Sequence, residues 1–390
     1  MSSVAFKGSR KPTIGVEVEV QLVDREMFDL VPASPQILQK LKTKAEKEHI
    51  KSELTQAMVE INTDISRTVA EVGDGLRAKF DLLRQLAAGQ NLEILVAGTH
   101  PFQQWREQKV FPSDRYQAIV DKFQWLARRL TIFGLHVHIG IPTGDRAIAV
   151  INALINYIPH LLALSASSPF WSATDTGMES CRVAVFESMP TGGLPYFFVD
   201  WKEFQRYHKA LQETGAIHSI KDIYWDIRPH YDFGTIEVRI CDGIPTLQET
   251  LGLVALIQCL VVWIDSQYRK GKRSRQIHMQ HYWVAPENKW QAARYGLDGN
   301  IILAEGKKRK YLREDIADLL ETLRPVAKEL QCERELAYVE EILKNGPSST
   351  RQRRIYKETG SLTKVVQSLV GELKVVIPAP CLPAGRKAGI

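Results

Sequence analysis

The chain has 390 residues, of which 44% are hydrophobic and 25% charged, and 51 Lys and Arg against 45 Asp and Glu give a formal net charge of +6. This mix is typical of a globular protein and excludes disorder, collagen and coiled coil as its main state. The length allows two or three domains, or one large catalytic domain.

The N-terminal residues MSSVAFKGSRKP contain no apolar segment of the kind a secretory signal needs. The longest apolar stretch, residues 251–264, falls short of the ~20 residues of a membrane span and predicts a buried helix. The five cysteines are scattered without a CxxC pair, which favours reduced thiols over disulfides or a zinc site. We therefore expect a cytoplasmic protein with no membrane partner.

Four segments alternate apolar and polar residues with a period of two, which predicts half-buried strands. They are residues 13–24, 53–63, 134–141 and 235–242. One-sided alternation of this kind is typical of antiparallel sheets, whereas strands of parallel sheets are apolar throughout.

Segments with helical spacing lie between and after these strands, at about residues 34–47, 66–88, 114–130, 145–164, 246–268 and 313–344. Four residues with a side-chain oxygen are placed to cap helix N-termini: Ser66, Asp114, Asp145 and Thr246. The predicted fold class is therefore α+β, a curved antiparallel sheet backed by helices.

The polar faces of the predicted strands carry residue types that bind cations and phosphate: Glu17, Glu19, Glu60, His136, His138, Glu237 and Arg239. Glu17 and Glu19 are two residues apart on one strand, so both point the same way, about 7 Å apart, as suits carboxylates that flank one or two cations. Mg²⁺ and Mn²⁺ prefer such oxygens, and Arg239 could neutralise a transferred phosphoryl group. Four carboxylates on one face would repel one another strongly without cations.

Each motif alone has a simpler interpretation. A Glu-x-Glu pair can be polar because its face meets water, a His-x-His pair can be structural, and Glu237 with Arg239 can form a cross-strand ion-pair ladder. Their combination on four strands favours a site. The GxxxxGK[ST], GxGxxG, GxSxG and HExxH motifs are absent from the sequence. Nucleotide binding would therefore rely on metals and basic side chains.

Basic residues concentrate towards the C-terminus. From Arg269 onward there are 24 Lys and Arg against 14 Asp and Glu, or +10, whereas the residues before it hold 27 against 31, or −4. Such a surface attracts nucleotides, acidic metabolites or nucleic acid. Because no stacking-aromatic or groove-helix motif accompanies the basic runs, we interpret them as solvated loops and expect no nucleic-acid partner.

Eight short segments follow one another along the chain: TIGVEVEVQLVD, ELTQAMVEINT, AGTHPF, GLHVHIGI, LLALSASSPFW, YWDIRP, GTIEVRICD and ENKWQAARYGLDG. In this order they resemble the glutamate–cysteine ligase type 2, or carboxylate–amine ligase, family. The resemblance implies a fold similar to the catalytic domain of glutamine synthetase, with a sheet that holds ATP, two or more Mg²⁺ ions and an acidic substrate. It also implies a single catalytic domain (13–373), preceded by an N-terminal extension (1–12). Residues 374–390 are basic and rich in Pro and Gly, which predicts a flexible C-terminal tail.

By this resemblance the metal ligands would be Glu17, Glu19, Glu60, His136 and Glu237. His138 and Arg239 would contact the ATP phosphates. Arg182 and Arg228 would bind the substrate carboxylate or the acyl phosphate, and Arg182 and Arg239 would stabilise the reacting groups.

The sequence departs from the family pattern in two places. Val18 stands where relatives usually carry a glutamate, but the alternation places it on the apolar face, so the Glu17–Glu19 pair is kept. The segment VAVFESMPTGGLP after Arg182 replaces a more basic and aromatic run, and we predict that it shapes the substrate pocket.

The activity implied by the resemblance is an ATP-dependent ligation of a glutamate-like acid to an amine such as cysteine, through an acyl phosphate, with Mg²⁺ or Mn²⁺. A homo-oligomer is implied in the same way. Two alternatives stay open: a kinase acting on a carboxylate or guanidino substrate, and a non-catalytic regulator that binds ATP and Mg²⁺.

Overall fold

The protein is described by a computed structural model over residues 4–271, 282–303 and 308–374. The strands are β1 (Ile14–Asp24), β2 (Ile50–Ser52), β3 (Met58–Asn62), β4 (Leu92–Leu95), β5 (Leu135–Gly140), β6 (Phe170–Trp171), β7 (Thr174–Asp175), β8 (Gly192–Gly193), β9 (Tyr224–Trp225), β10 (Ile227–His230), β11 (Thr235–Val238), β12 (Asn300–Leu303) and β13 (Lys308–Tyr311). The helices are α1 (Ser34–Gln39), α2 (Lys44–His49), α3 (Val69–Ala88), α4 (Asp114–Phe123), α5 (Trp125–Arg128), α6 (Gly144–Leu154), α7 (Ile158–Ser165), α8 (Arg182–Phe186), α9 (Trp201–Glu213), α10 (Leu247–Arg269), α11 (Val284–Tyr295), α12 (Leu312–Glu329), α13 (Glu333–Asn345), α14 (Ser348–Thr359) and α15 (Leu362–Lys374).

A seven-stranded sheet organises the molecule, with the strand order β10-β11-β5-β1-β3-β2 and with β4 beside β1. Each of its pairings between described strands is antiparallel, as the alternation predicts. The long strand β1 is central, because β5 and β4 pair with the two halves of one of its edges and β3 pairs with the other edge. Each of the four predicted strands corresponds to a strand of this sheet.

The apolar face of β1 lies in the core, with Ile14, Val16, Val18, Val20 and Leu22 at most 2% exposed. Helices α3, α6 and α10 pack together over this side of the sheet. The burial of Val18 confirms that its side chain belongs to the apolar face. Because a period of two sends neighbouring side chains to opposite faces, Glu17 and Glu19 must then lie on the other side of the sheet.

Two helical stretches, Gly144–Ser165 and Leu247–Arg269, are long and apolar enough to cross a membrane by length and composition. Both lie largely inside the fold, with 89% and 72% of their most apolar windows buried. A helix that is apolar on most sides is expected in the core of a large domain. The prediction of a buried helix at residues 251–264 is thus confirmed.

Several predicted helices are interrupted, and three of the four predicted caps are displaced. The segments 114–130 and 313–344 break at Gln124 and Gln331, whose φ angles are 49° and 57°. Thr246 caps α10 as predicted, whereas the other caps are Thr68, Ser113 and Thr143. Ser66 instead exchanges two backbone hydrogen bonds with Ile14, at 2.8 Å each.

The predicted N-terminal extension is packed against the fold. The Lys7 N–H donates to the carbonyl of Tyr231 and the Ser9 N–H to that of Ile141, both at 2.9 Å. The Gln258 side chain donates to the carbonyl of Pro12 at 2.9 Å. Residues 375–390 of the predicted tail lie outside the described residues, and the division into extension, catalytic domain and tail stays a prediction.

Candidate active site

A cavity of about 640 Å³ lies over the polar face of the large sheet. Its walls include all nine residues singled out in the sequence: Glu17, Glu19, Glu60, His136, His138, Arg182, Arg228, Glu237 and Arg239. The structure therefore brings together residues that are up to 222 positions apart in sequence (239 − 17).

Strand register explains why these side chains converge. Glu17 lies opposite His136, Glu19 opposite Glu60, and His138 opposite Glu237. Directly opposed residues in antiparallel strands have Cβ atoms about 4.5–5.5 Å apart. The neighbouring strands β11, β5, β1 and β3 thus place a row of carboxylates and imidazoles across the sheet.

Glu17, His138 and Glu237 form the tightest group of potential metal ligands in the described part of the chain, with one ligand atom from each lying within 4.8 Å of the others. The Nε2 atom of His138 is 3.4 Å from Glu17 Oε1 and 3.9 Å from Glu237 Oε1. Among the described residues this buried nitrogen has no hydrogen-bond partner. The other ring nitrogen, Nδ1, lies 3.0 Å from Thr235 Oγ1. Such a contact orients an imidazole and leaves Nε2 free to bind a cation.

His136 has different contacts from those of His138. Its Nδ1 atom is 3.2 Å from Glu17 Oε2 and 3.5 Å from Arg239 Nη1. Burial and the positive charge of Arg239 lower the pKa of His136. The geometry therefore groups His138 with the carboxylates of Glu17 and Glu237, whereas the family resemblance implies that His136 is the histidine that binds the metal. The role of His136 as a metal ligand stays a prediction.

Glu237 is held between two guanidinium groups. Arg228 Nε donates to Oε2 at 2.6 Å and Nη2 to Oε1 at 3.0 Å, and Arg239 Nη1 donates to Oε1 as well. Burial raises the pKa of Glu237, but the charges of Arg228 and Arg239 outweigh burial and hold that pKa well below its usual value. Glu237 and Arg239 thus form an ion pair, but it is not cross-strand, because the two residues are two positions apart in one segment. The cross-strand partner of Glu237 is Arg228, which lies opposite it on β10.

Arg228 has little capacity left for a substrate. Its Nη1 donates to the carbonyls of Ile220 and Ile223 at 3.0 and 2.8 Å, which with the two bonds to Glu237 engages four of its five N–H groups. The side chain is 5% exposed. We therefore interpret Arg228 as a residue that positions Glu237, which differs from the role that the resemblance implies.

A second group of carboxylates comprises Glu19, Glu60 and Glu53. Burial, followed by the charges of Glu17 and Glu53, raises the pKa of Glu60 well above its usual value. Burial and the charge of Glu19 raise the pKa of Glu53 to about 7. Half-buried carboxylates that repel one another fit divalent cations, which relieve such repulsion. Both carboxylate groups therefore meet the requirement of a metal site in their donor chemistry.

Sequence reasoning did not identify Glu53 as a site residue. It was included at the start of a predicted strand, but β3 begins only at Met58, so Glu53 reaches the cavity from the turn before that strand. Its proximity to Glu60 in the segment ELTQAMVE was the available signal. The alternation pattern does not group Glu53 with Glu60, because residues an odd number of positions apart lie on opposite faces of a regular strand.

The carboxylate cluster predicts how stability depends on pH. The folded pKa of Glu53, about 7, exceeds its ordinary value of 4.5, so the folded state binds more protons between these values and loses stability as pH rises through that window. Without divalent cations, the melting temperature should fall between about pH 5 and about pH 7.5. Mg²⁺ should restore it most at the higher pH, because cation binding displaces protons.

Calorimetry in EDTA and in Mg²⁺ at both pH values would check this dependence. The variant Glu53→Gln should flatten the pH dependence in EDTA. If the melting temperature of the wild type at the higher pH were the same with and without Mg²⁺, the assignment of these carboxylates to a metal site would be refuted.

Arg182 lies beneath the cavity at the start of α8 and is 2% exposed. Its guanidinium donates to the carbonyls of Ile240 and Arg239 at 3.2 and 3.3 Å. Its Nε has no hydrogen-bond partner within the described ranges. A Cβ on Gly134 would stand 2.3 Å from the guanidinium, so glycine there leaves the space that Arg182 occupies. The structure thus places Arg182 at the cavity, as predicted, with most of its bonds made to the strand end after β11.

The cavity also contains side chains that sequence reasoning did not select. Four basic residues at its rim are exposed: Lys47, Lys51, Arg115 and Lys221. Aromatic residues line other parts of the wall: Tyr116, Phe186, Tyr224, His230 and Phe233. A basic rim around a concave site attracts anionic substrates. These residues come from helices and loops whose position in space no local pattern predicts.

Several cations of the C-terminal region are neutralised within the fold. Arg351 pairs with Glu249 and Glu372. Arg353 pairs with Asp175 and Glu179. The interpretation of this basic run as a solvated loop is therefore wrong, because Arg351 and Arg353 lie in helix α14 and their charges are paired. The runs at residues 272–275 and at Lys307 lie outside the described residues.

The sequence matches known proteins along nearly its whole length. The profile of glutamate-cysteine ligase family 2 matches residues 13–368. A protein of Gloeobacter violaceus is 45% identical over 373 residues, which cover 94% of this chain and 98% of that protein. A protein of Thermobifida fusca is 43% identical over 387 residues, which cover 98% and 96%. Both relatives are provisionally named glutamate–cysteine ligase 2.

Two solved structures share the fold. The glutamate–cysteine ligase of Francisella tularensis, in complex with AMP, has a TM-score of 0.70 at 11% identity and covers 96% of this chain and 91% of its own. The bifunctional glutathione synthetase of Pasteurella multocida has a TM-score of 0.66 at 15% identity, covering 93% and 51%. At such low identity the likeness concerns the fold, and it agrees with the α+β class predicted from the sequence.

Proposed function

The chain belongs to glutamate-cysteine ligase family 2, and from this membership and the geometry of the cavity we propose that it is an ATP-dependent ligase. It would join the carboxylate of glutamate, or of a similar acid, to an amine such as that of cysteine. The observation that carries the proposal is the row of carboxylates that faces guanidinium groups across one cavity. A carboxylate oxygen is a poor leaving group, so amide formation requires its prior activation.

Two sets of residues would hold Mg²⁺ or Mn²⁺. Glu17, His138 and Glu237 offer ligand atoms within 4.8 Å of one another. Glu19, Glu60 and Glu53 form the second set, which the raised pKa values of Glu60 and Glu53 mark as short of positive charge. Bound divalent cations would supply charge neutralisation for the triphosphate and for the attacking carboxylate.

The proposed chemistry has two steps. A carboxylate oxygen of the acid attacks the γ-phosphorus of ATP, and ADP leaves as the acyl phosphate forms. The amine nitrogen then attacks the acyl carbon and loses a proton, and phosphate leaves with the oxygen that came from the carboxylate. Arg239 has an Nε that makes no hydrogen bond to any described residue, so it can stabilise the negative charge that develops on the reacting phosphoryl group.

We also propose that the enzyme works in the reducing cytoplasm. Cys181, Cys241, Cys259 and Cys332 are buried free thiols. Cys259 and Cys332 face each other with their sulfur atoms 3.6 Å apart, and they are not bonded. Free thiols at this distance suit a reducing compartment.

Phosphate release from ATP, with Mg²⁺ and glutamate, would test the proposal when measured with and without a panel of amines that includes cysteine. The ligase predicts release that depends on an amine, together with a new amide mass. The kinase alternative predicts a stable phosphorylated product without an amine. The regulator alternative predicts ATP binding without turnover, and either of these outcomes would overturn the ligase.

A further inference from the structure

One wall of the cavity carries a stacked aromatic pair that the proposed chemistry does not use. The rings of His230 and Phe233 are 4.0 Å apart between centroids and nearly parallel, at 7°. His230 is 4% exposed, whereas Phe233 is 59% exposed and lines the cavity. Because one face of Phe233 covers His230, the exposed part of its ring is the other face and the edge. A large apolar ring left open on a cavity wall indicates a ligand surface.

The turn that carries Phe233 is fixed on both sides. Gly234 follows it with φ at +65°, and a Cβ there would stand 1.9 Å from the carbonyl oxygen of Lys7. The Ile141 N–H donates to the Gly234 carbonyl at 3.0 Å, and the Lys7 N–H donates to the Tyr231 carbonyl at 2.9 Å. The N-terminal segment thus braces the turn, so that Phe233 is presented on a preorganised support, which lowers the entropic cost of binding.

The pair lies next to the proposed phosphate and metal region. The ring of His138 is 5.8 Å from that of Phe233 and 5.8 Å from that of His230. On its other side, His138 Nε2 approaches Glu17 at 3.4 Å. A ligand lying on Phe233 can therefore extend past His138 to the carboxylates.

The chemistry of Phe233 and His230 indicates which part of a ligand this cavity wall would contact. His230 lies behind Phe233 and is 4% exposed, so it supports the ring, and a ligand would contact the open face of Phe233. Neither glutamate nor cysteine contains a ring, whereas a nucleobase has a flat π-face and polar edges. We propose that Phe233, supported by His230, is the stacking platform for the nucleobase of the nucleoside triphosphate. This inference rests on the proposed ligase function.

Calorimetric titration of the full chain with Mg²⁺–ATP and with Mg²⁺–tripolyphosphate would test the platform. Stacking on an aromatic side chain contributes about 1–3 kcal/mol per base, so Phe233→Ala should raise the Kd for ATP by a factor of about 5 to 150. Its Kd for tripolyphosphate, which has no base, should stay unchanged. Phe233→Trp keeps an aromatic face and should restore ATP binding. Tyr311→Ala, which removes a 53% exposed ring outside the cavity lining, is the matched control and should bind like the wild type.

The possible failures are distinguishable. Wild-type affinity of Phe233→Ala for ATP, or an equal loss for ATP and tripolyphosphate, would overturn the platform while leaving the ligase intact. A wild-type protein that binds neither compound would overturn the proposed function, and the platform with it.

Discussion

Glu237→Gln is expected to lower turnover roughly 10²–10³-fold, the scale of removing one preorganised charge from an active site. It should also destabilise the metal-free fold. Glu237 is 1% exposed and accepts hydrogen bonds from both Arg228 and Arg239. Removing one partner from a buried ion pair costs about 3–5 kcal/mol, because the remaining charge stays buried without compensation. Here two guanidinium groups would lose that partner.

Steady-state turnover and calorimetric melting of the variant would measure the two effects separately. Glu249→Gln is the matched control, since Glu249 pairs with Arg351 through two bonds of 2.7 and 2.8 Å away from the cavity lining. This control should lose stability but keep its turnover where it remains folded. If Glu237→Gln retained wild-type turnover, Glu237 would have no part in the chemistry.

Glu60→Gln should have the opposite effect on stability. Burial and the charges of Glu17 and Glu53 raise the pKa of Glu60, so the ionised side chain destabilises the metal-free protein at neutral pH. A neutral isostere removes that repulsion, and we therefore expect the free energy of unfolding to rise. Glu60→Gln should therefore melt at a higher temperature in EDTA, gain less from Mg²⁺ than the wild type, and lose turnover.

Melting in EDTA and in saturating Mg²⁺, with turnover assays beside it, would check this combination. Glu26→Gln, an exposed position in the turn after β1, should change none of the three quantities. A variant at Glu60 that is less stable than the wild type in EDTA would show that the carboxylates are not short of positive charge.

Alternation predicts the polar wall of the site well, because a period of two fixes which side chains share a face whatever the order of the strands. Burial of Val18 requires Glu17 and Glu19 to lie on the opposite face, and the same reasoning brings His136 and His138 beside them. This is why the seven residues selected from the polar faces line one cavity, whereas Arg182 and Arg228 were selected by the family resemblance.

The roles of individual residues could not be predicted in this way. The orientation of His138 depends on a contact with Thr235, which lies 97 residues away in the sequence. The engagement of Arg228 depends on the carbonyls of Ile220 and Ile223, whose positions are set by the local path of the chain before β9. Neither contact produces a periodic signal.

Helix boundaries were also partly unpredictable. The breaks at Gln124 and Gln331 occur at left-handed residues that are neither glycine nor proline, so the usual signals of helix termination are missing there. Phe233 could not be predicted as a site residue for another reason. An aromatic residue in a turn gives no indication of a binding role until the fold shows which cavity it lines.

Transfer of an oxygen atom tests the central claim, activation of a carboxylate by phosphoryl transfer, most directly. The enzyme would be given ATP, Mg²⁺, an amine acceptor and glutamate labelled with ¹⁸O in the reacting carboxylate, and the released phosphate would be analysed by mass spectrometry. The two-step chemistry predicts one labelled oxygen in the phosphate for every amide formed. Amide formation with unlabelled phosphate would contradict an acyl phosphate.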